Sequence, residues 1–318
     1  MEAQQRFYAG KRILVTGGAG FIGSHLVEKL VTLGARVTVL DNFTTGSLNN
    51  LKAIVHNINI MYADVRSTYS CLRATLNQDI VFHLAALISV PESVKNPALC
   101  YAINVDGTKN ILDACKKNVI STVVYSSSSA VYGTNNGVCS ETDEPCPQSP
   151  YAISKYRGEQ LCKQFTRDHG MNTAILRYFN VYGERQNPNG PYAAVRSKFA
   201  QLLRTSQPLT IYGDGKQTRD FIHISPVVEA NLAAGMCSTL YGEIFNVASG
   251  TSMNLLDLIT QLEKEMGNRH VSIVFQPTRL GDIEHSQAKT EKLQQLLQNS
   301  LSQNAPTIWQ QTQKTATL

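Results

Sequence analysis

The sequence contains no Cys-x-x-Cys pair. Its seven cysteines are scattered at positions 71, 100, 115, 139, 146, 162 and 237. An odd, dispersed set argues against a disulfide framework or a zinc site, and fits buried thiols in a reducing compartment. No metal is expected. No uninterrupted apolar run approaches the ~18 residues a membrane span needs. The first residues, Met1 to Arg6, lack the apolar core of a secretion signal, so the expected location is the cytoplasm. Net charge is +5 with no polybasic block. That balance suits a small anionic ligand and is too diffuse to argue for nucleic acid or a membrane surface. There is no internal repeat, and the only biased tract is Gln-rich, after Gln294. What remains is an ordinary globular composition over 318 residues, 42% hydrophobic and 17% charged. That length suffices for one large or two moderate domains.

The chain opens with a strand, Ile13-Leu14-Val15, then a glycine turn with Gly17, Gly20 and Gly23, then a helix from Ser24 to Leu30. A second strand, Arg36 to Leu40, ends at Asp41. In this context the glycines let the turn form, let the backbone approach a pyrophosphate, and let helix and strand pack closely. Asp41, about 20 residues on, can accept from both ribose hydroxyls of an adenosine and would repel a phosphate there, which favours NAD over NADP. The competing reading is a glycine-rich turn with no ligand. Strands and helices keep alternating. Further strands are expected at Ile58–Ala63, Ile80–Leu84, Val123–Ser127 and Thr173–Arg177, with helices at Asn104–Lys117 and Ser149–His169. This pattern predicts an α/β fold with a doubly wound parallel sheet and ligands at its C-terminal strand ends. Gly17, Asp41, Asp64, Ala85, Ser128 and Asn180 all follow predicted strands and so share that edge.

Between two of these elements lies Ser126-Ser127-Ser128-Ser129, followed by Ser149-Pro150-Tyr151-Ala152-Ile153-Ser154-Lys155. Ser149 reads as an N-cap and Pro150 as the first helical residue. Residues four apart share a helix face, so Tyr151 and Lys155 point the same way. A phenol with pKa ~10 is a poor base at neutral pH. An ammonium about 5 Å away favours the phenolate by ~3 kcal/mol at an effective dielectric of ~20, and a serine from the preceding strand could relay the proton. Alone, Tyr-x-x-x-Lys is weak: Tyr212-Gly-Asp-Gly-Lys216 matches it in a turn. The serines and the glycine turn supply the context. After Asn180 the character changes. A Pro/Asn/Gly loop precedes a helix at Ala193–Leu203, and short strands near Thr210–Tyr212 and Asp220–His223 are joined by a glycine turn. A helix Val227–Met236 and a strand Ile244–Val247 look like more of the first domain. The expected boundaries are 1–180 with about 220–250 for the dinucleotide domain, and 181–219 with 251–318 for a smaller, discontinuous domain. In the latter, Arg219 and Arg279 could clamp a diphosphate; the alternative is two surface arginines.

These residues, with Asp41-Asn42-Phe43, His83-Leu84-Ala85-Ala86 and Arg177-Tyr178-Phe179-Asn180, resemble the extended short-chain dehydrogenase/reductase family. More narrowly they resemble NAD-dependent nucleotide-sugar epimerases of Rossmann-like fold, over roughly Lys11 to Leu297. The stretches Arg185–Val195 and Gly281–Ala288 are similar to those of bacterial UDP-N-acetylglucosamine 4-epimerases of surface-polysaccharide pathways. The resemblance implies tightly held, recycled NAD and a transient 4-keto sugar. It implies Ser128, Tyr151 and Lys155 as the catalytic group, with Ser127 and Ser129 flanking the aligned serine. For the cofactor it implies Gly17, Gly20, Phe21, Ile22, Gly23, Asp41, Asn42, Asp64, Val65, Leu84, Ala85, Ala86, Asn104 and Tyr178 beside Tyr151 and Lys155. For a UDP-sugar it implies Asn180, Gln186, Ala194, Tyr212, Arg219, Arg279, Asp282 and Ser286.

Ser286 stands where epimerases limited to UDP-glucose and UDP-galactose tend to carry a bulkier side chain, and so leaves room for a 2-N-acetyl group. Forcing that group against a large residue costs ~1–3 kcal/mol, roughly 10–200-fold. The plain reading is a small loop residue. Relatives that eliminate or decarboxylate usually carry acids at or just after the serine cluster, and this chain has none there. Plain UDP-glucose and UDP-glucuronate 4-epimerases are the enzyme alternatives. An NAD-binding sensor or scaffold is the non-enzyme one. A homodimer through 104–117 and 149–169 is expected. The chain departs from its relatives after Asn299, where a polar, aperiodic stretch replaces a conventional last helix. Arg196 and Lys289 also stand where relatives more often carry a neutral residue and an acid.

Overall fold

In the computed structural model, residues 2–134, 137–187, 195–267, 269–278 and 285–301 are described. The strands are β1 (Arg12–Thr16), β2 (Arg36–Asp41), β3 (Ile58–Tyr62), β4 (Ile80–His83), β5 (Thr122–Ser128), β6 (Val138–Cys139), β7 (Asn172–Tyr178), β8 (Asn180–Tyr182), β9 (Leu209–Tyr212), β10 (Thr218–His223), β11 (Glu243–Val247), β12 (Ser252–Asn254), β13 (Ile273–Gln276) and β14 (Gln287–Ala288). The helices are α1 (Glu2–Tyr8), α2 (Phe21–Thr32), α3 (Thr68–Thr75), α4 (Val90–Lys95), α5 (Pro97–Tyr101), α6 (Gly107–Lys117), α7 (Pro150–His169), α8 (Val195–Arg204), α9 (Ile224–Met236), α10 (Leu255–Glu265) and α11 (Glu291–Leu301).

Seven strands form one parallel sheet in the order β3-β2-β1-β4-β5-β7-β11. The inner strands β4 and β7 are buried at every residue. That suits near-continuous apolar runs covered by helices on both faces. One face packs Leu26, Leu30, Val227 and Leu232 of α2 and α9. The other packs Ile111, Leu112, Cys115, Cys162 and Phe165 of α6 and α7. Each fully buried Leu or Ile contributes roughly 1.5–3 kcal/mol. Strand order reverses between β1 and β4, so a crevice opens at their C-terminal ends. Among the described residues no helix is long and apolar enough to cross a membrane.

The predicted helix at 104–117 is two pieces. A π turn, Ala102–Asp106, precedes α6. The extra residue in the turn lets Gly107 lie against Val65, whose Cγ2 would be 2.7 Å from a Cβ at that position. Gln5 and Gln4 belong to α1, a helix the sequence reading did not place. Tyr8 of that helix is fully buried and donates to the Leu232 carbonyl at 2.7 Å.

After β7 the chain builds a second, smaller core from Phe199, Leu203, Leu209, Ile211, Leu255, Leu258, Ile259 and Leu262. Here the structure differs from a simple pair of strands around Gly213-Asp214-Gly215. β9 pairs with β13, whereas β10 pairs with β8 and β12. Gly213 and Gly215, at φ 84° and 79°, turn the chain from one small sheet to the other. The chain then returns to the main sheet through α9 and β11. At the end, Leu293 and Leu296 of α11 are buried in the main core; residues from 302 on lie outside the described set.

Candidate active site

The crevice begins at β1. Gly17 has φ 68°, and a Cβ there would stand 2.8 Å from the Ala85 nitrogen. A Cβ on Gly23 would stand 2.2 Å from the Gly17 oxygen. Only glycine fits either position. Gly20 is the N-cap of α2 and gives no side-chain cap, so the leading N–H groups of that helix face outward for an anion. Phe21 and Ile22, at the helix start, pack against the main core.

Asp41 ends β2 at 7% exposure. One carboxylate oxygen accepts from the Ala19 N–H at 2.9 Å and the other from the Phe43 N–H at 2.8 Å. Each oxygen keeps a lone pair. Phe43 is left-handed, φ 59°, and its ring stacks on Tyr62 at 5.4 Å. Asn42 donates to Asp64 at 2.9 Å. Arg66 holds that carboxylate through two bonds of 3.0 and 2.8 Å, which keeps Asp64 down at about 2. Val65 is buried, and Leu84, Ala85 and Ala86 follow β4, half-buried.

Behind the glycine turn lies a closed polar relay. The Ala85 N–H donates to the Thr16 hydroxyl at 3.2 Å, and that hydroxyl lies 2.7 Å from His83 Nδ1. His83 Nε2 lies 3.0 Å from the Thr108 hydroxyl, which itself donates to the Asn104 carbonyl at 2.6 Å. Thr108 has one proton and gives it to Asn104, so His83 must donate from Nε2 and accept at Nδ1. Burial and the nearby Lys155 charge push His83 down to about 3, so the ring is neutral. Asn104, expected beside the cofactor, is 1% exposed and fully engaged. Its amide holds both the nitrogen and the oxygen of Leu87, at 2.8 and 2.9 Å, and donates to the Ser154 hydroxyl at 2.9 Å.

Across the crevice, α7 starts as the sequence requires. Ser149 accepts from the Ala152 N–H at 3.1 Å, Pro150 is the first helical residue, and Gly170 caps the far end. The Tyr151 N–H donates to Ser93 of α4 at 3.1 Å. The serines of β5 divide their work. Ser126 donates to the His83 carbonyl at 3.1 Å. Ser127 donates to Glu159 at 2.5 Å. The Ser128 hydroxyl accepts from the Ala130 N–H at 3.2 Å and faces the Tyr151 phenol. The phenol is raised by burial, with Ser128 pulling the other way. Lys155 is 3% exposed, donates to the Ser126 carbonyl at 2.8 Å, and is drawn down to about 8 by burial. The expected lowering of Tyr151 by Lys155 is thus not what the structure shows. The ammonium is spent on a carbonyl of β5, and desolvation dominates at the phenol.

The other expected residues are more dispersed. Tyr178 is 8% exposed and turns its hydroxyl to Asn231 of α9 at 2.9 Å. Asn180 donates to the Asp220 carbonyl at 3.1 Å, and the Arg219 guanidinium to the Thr218 carbonyl at 2.9 Å. Gln186 donates to the Val181 carbonyl at 2.9 Å and accepts from Ser197. Tyr212 ends β9, half-buried. Ser286 is 8% exposed, and its N–H donates to the Thr218 carbonyl at 3.1 Å, beside Arg219. Ala194, Arg279 and Asp282 lie outside the described residues. Arg196 bridges to Glu265 at 3.0 Å and sits over the Tyr182 ring at 4.2 Å. Sequence reasoning gave no role to Thr16, Thr108, Tyr125 or Glu159. For Glu159 a signal existed: it falls four and eight residues after Lys155 and Tyr151, on the same helix face.

Among the described residues no cluster of His, Cys, Asp and Glu could hold a metal. The glycine cradle, the open start of α2 and the Asp41 carboxylate fit a dinucleotide. The profile of the NAD dependent epimerase/dehydratase family matches residues 13–248. A putative UDP-glucose 4-epimerase of Methanocaldococcus jannaschii is 41% identical over 274 residues, 85% of this chain and 87% of that protein. A UDP-N-acetyl-alpha-D-glucosaminuronate decarboxylase of Bacillus cytotoxicus is 35% identical, covering 91% of this chain and 92% of its own. Among solved structures, a UDP-N-acetylglucosamine 4-epimerase from Methanobrevibacter ruminantium, in complex with UDP-N-acetylmuramic acid, superposes with a TM-score of 0.86. It is 38% identical, covering 91% of this chain and 92% of that one. The chain belongs to the NAD dependent epimerase/dehydratase family.

Proposed function

We propose that the chain is a UDP-hexose 4-epimerase acting on UDP-N-acetylglucosamine and UDP-N-acetylgalactosamine. The observation that carries the reading is the Tyr151 phenol facing Ser128 at the end of β5, with Lys155 one helical turn further along. This is an acid–base pair for a hydroxyl group at the edge of a dinucleotide crevice. Tyr151, through Ser128, takes the proton of the sugar 4-hydroxyl and later returns it. NAD held by the Gly17–Gly23 turn and Asp41 supplies hydride transfer at the sugar C4. The 4-keto sugar turns over while its diphosphate is held, and is reduced from the opposite face. For the tyrosine to act as a base its phenolate must be favoured when substrate is present. An ammonium about 5 Å away would favour it by ~3 kcal/mol; Lys155 supplies this once bound cofactor and substrate draw it from the Ser126 carbonyl.

The second lobe, with Asn180, Tyr212, Arg219 and Ser286, is the proposed site for the UDP end, with Arg219 on phosphate; Arg279 and Asp282 are proposed contacts from the sequence resemblance. Ser286, small and next to Thr218, supports room for a 2-acetamido group. A decarboxylase stands among the relatives, but the turn Ser129–Tyr132 after the catalytic strand carries no acid for that chemistry. Plain UDP-glucose remains the second reading, favoured by the Methanocaldococcus relative's description. The proposal includes a homodimer through α6 and α7; the exposed Ile88, Val90 and Val94 beside them offer apolar surface for it.

The deciding experiment follows purified protein without added NAD by proton NMR, with UDP-N-acetylglucosamine and UDP-glucose in separate samples. Epimer from the acetylated sugar at least as fast as from the plain one is expected, and Tyr151→Phe should abolish both. Product from UDP-glucose alone would overturn the substrate assignment. No turnover of any nucleotide sugar, even with NAD supplied, would overturn the enzyme and leave a cofactor-binding scaffold.

A further inference from the structure

Lys155 is a buried cation without an ion-pair partner among the described residues. Among the described residues no carboxylate lies within ion-pair distance of its ammonium. Its one hydrogen bond among the described residues runs to the Ser126 carbonyl at 2.8 Å. The titratable groups facing it are Glu159 and Cys162 on its own helix, Cys100 on α5 and His83 on β4. None offers it an unshared negative charge at neutral pH. Glu159 is engaged by Arg177 and Ser127. Burial raises both thiols and the Tyr151 phenol, and His83 is a neutral ring. What lies beneath the ammonium is an aromatic ring. Lys155 Nζ sits over Tyr125 at 5.3 Å from the ring centroid, and Tyr125 is 1% exposed.

The same tyrosine also sets the seat of the helix. Its hydroxyl donates to the Lys155 carbonyl at 3.3 Å. The ring tip occupies the space over Gly158, where a Cβ would stand 2.1 Å from that hydroxyl. So one side chain of β5 touches α7 at the lysine's head, at its backbone and one turn beyond. Tyr125 also immediately precedes Ser126 and stands three residues before Ser128 on β5, so it fixes the helix against the strand that delivers the serine.

We propose that Tyr125 is a positioning residue of the active site, its ring holding the Lys155 ammonium charged and aimed in a buried site whose facing carboxylate, Glu159, is already taken by Arg177. The inference rests on the proposed role of Lys155, but its physical content is independent of turnover. A desolvated cation is stabilised over a ring face by the ring quadrupole, so losing the ring should lower the lysine's titration midpoint by about one pH unit, tenfold in its protonation constant. The ammonium form would then be lost at lower pH.

The test labels lysine Cε with carbon-13 in the purified holoprotein and titrates Lys155 by NMR, its signal identified by its loss in Lys155→Met. Tyr125→Phe keeps the ring and should hold the midpoint within a few tenths of a pH unit. Tyr125→Leu should lower it by about one unit and move the alkaline limb of the pH–rate profile by the same amount. Because Tyr125→Leu leaves a void, ring-fluorinated phenylalanines placed at 125 provide a series of nearly constant shape and falling ring quadrupole. The midpoint should fall stepwise along that series. An unmoved midpoint across it would overturn the proposal, even with the enzyme active. Absence of turnover in the wild type would instead strike the epimerase reading and leave this titration intact.

Discussion

Glu159 grips Arg177 through two parallel bonds of 2.8 and 2.7 Å, with both side chains 1% exposed. The pair ties α7 to β7, and Ser127 adds β5 by donating to the same carboxylate at 2.5 Å. Arg177 also lies 4.6 Å from the Tyr132 ring centroid, and the Tyr132 hydroxyl donates to Asn246 of β11 at 2.6 Å. A buried ion pair adds little net stability over an apolar pair, but removing one partner leaves an uncompensated charge. Glu159→Gln and Arg177→Met should therefore each cost about 3–5 kcal/mol, read as a lowered urea midpoint. The double variant Glu159→Met/Arg177→Met should recover part of the loss. A double variant as unstable as the sum of the singles would mean that the pair's worth lies elsewhere.

His83 makes a separate prediction. Its native pKa, about 3, lies below the ordinary 6.5 because burial disfavours the cation. The unfolded chain takes up a proton near pH 6.5 that the native ring refuses. The group's stabilising contribution is thus complete above pH 6.5 and is lost as pH falls toward 3, at about 1.4 kcal/mol per pH unit. His83→Phe should flatten that part of the pH–stability curve while lowering stability at pH 8. Nitrogen-15 NMR of the native protein should show a neutral ring protonated at Nε2 from pH 5 to 9. A titrating ring, or the Nδ1-H tautomer, would break the relay from Ala85 to Asn104.

The glycine turn is testable by adding a single carbon. Gly23→Ala puts a Cβ 2.2 Å from a backbone oxygen, and Gly17→Ala combines positive φ with a backbone contact at 2.8 Å. Neither neighbour can rotate away. Each should cost about 1–3 kcal/mol in overpacking and release NAD, seen as a loss of 260 nm absorbance in the supernatant after denaturation. Gly10→Ala, also at positive φ but with nothing within 4 Å, should leave cofactor retention intact. Retention by Gly23→Ala would mean that the turn can open without losing its ligand.

Much of this arrangement could be read along the chain because its signals are local. A strand, three glycines at fixed spacing and an acid at the next strand end define the cofactor turn within about thirty residues. Ser149-Pro150 announces the start of α7, and the apolar runs of β1, β4 and β5 specify a covered parallel sheet. What could not be read depends on partners brought together by topology. The Thr16–His83–Thr108 relay joins three elements whose sequence spacing carries no pattern. The pairing of β9 with β13 rather than β10 is settled by a core formed from α8 and α10. The direction of Lys155 could not be inferred from its i+4 spacing to Tyr151: the spacing fixes the helix face, while the Ser126 carbonyl and the Tyr125 ring fix where the ammonium goes.

Asp41 offers the sharpest cofactor test, because its two oxygens are already committed to two different backbone groups. Ala19 N–H on one side and Phe43 N–H on the other hold the carboxylate at 2.9 and 2.8 Å. Asp41→Asn keeps shape and size but retains one acceptor oxygen. Its amide must face either Ala19 or Phe43, so one donor loses its partner, and a ribose hydroxyl loses a charged acceptor as well. A buried donor left unpaired costs about 1–3 kcal/mol, which corresponds to roughly 10–100-fold in NAD affinity. The turn at Phe43, already left-handed, is then left to the Tyr62 stack and the Thr44 N–H bond to Asn42 at 3.0 Å. Calorimetric titration of the stripped protein with NAD should show the loss, and NADP should gain relative to NAD because the repelling charge is gone. An unchanged NAD affinity in Asp41→Asn would move the ribose contact away from this carboxylate and make Asp41 a brace for the 41–43 turn alone.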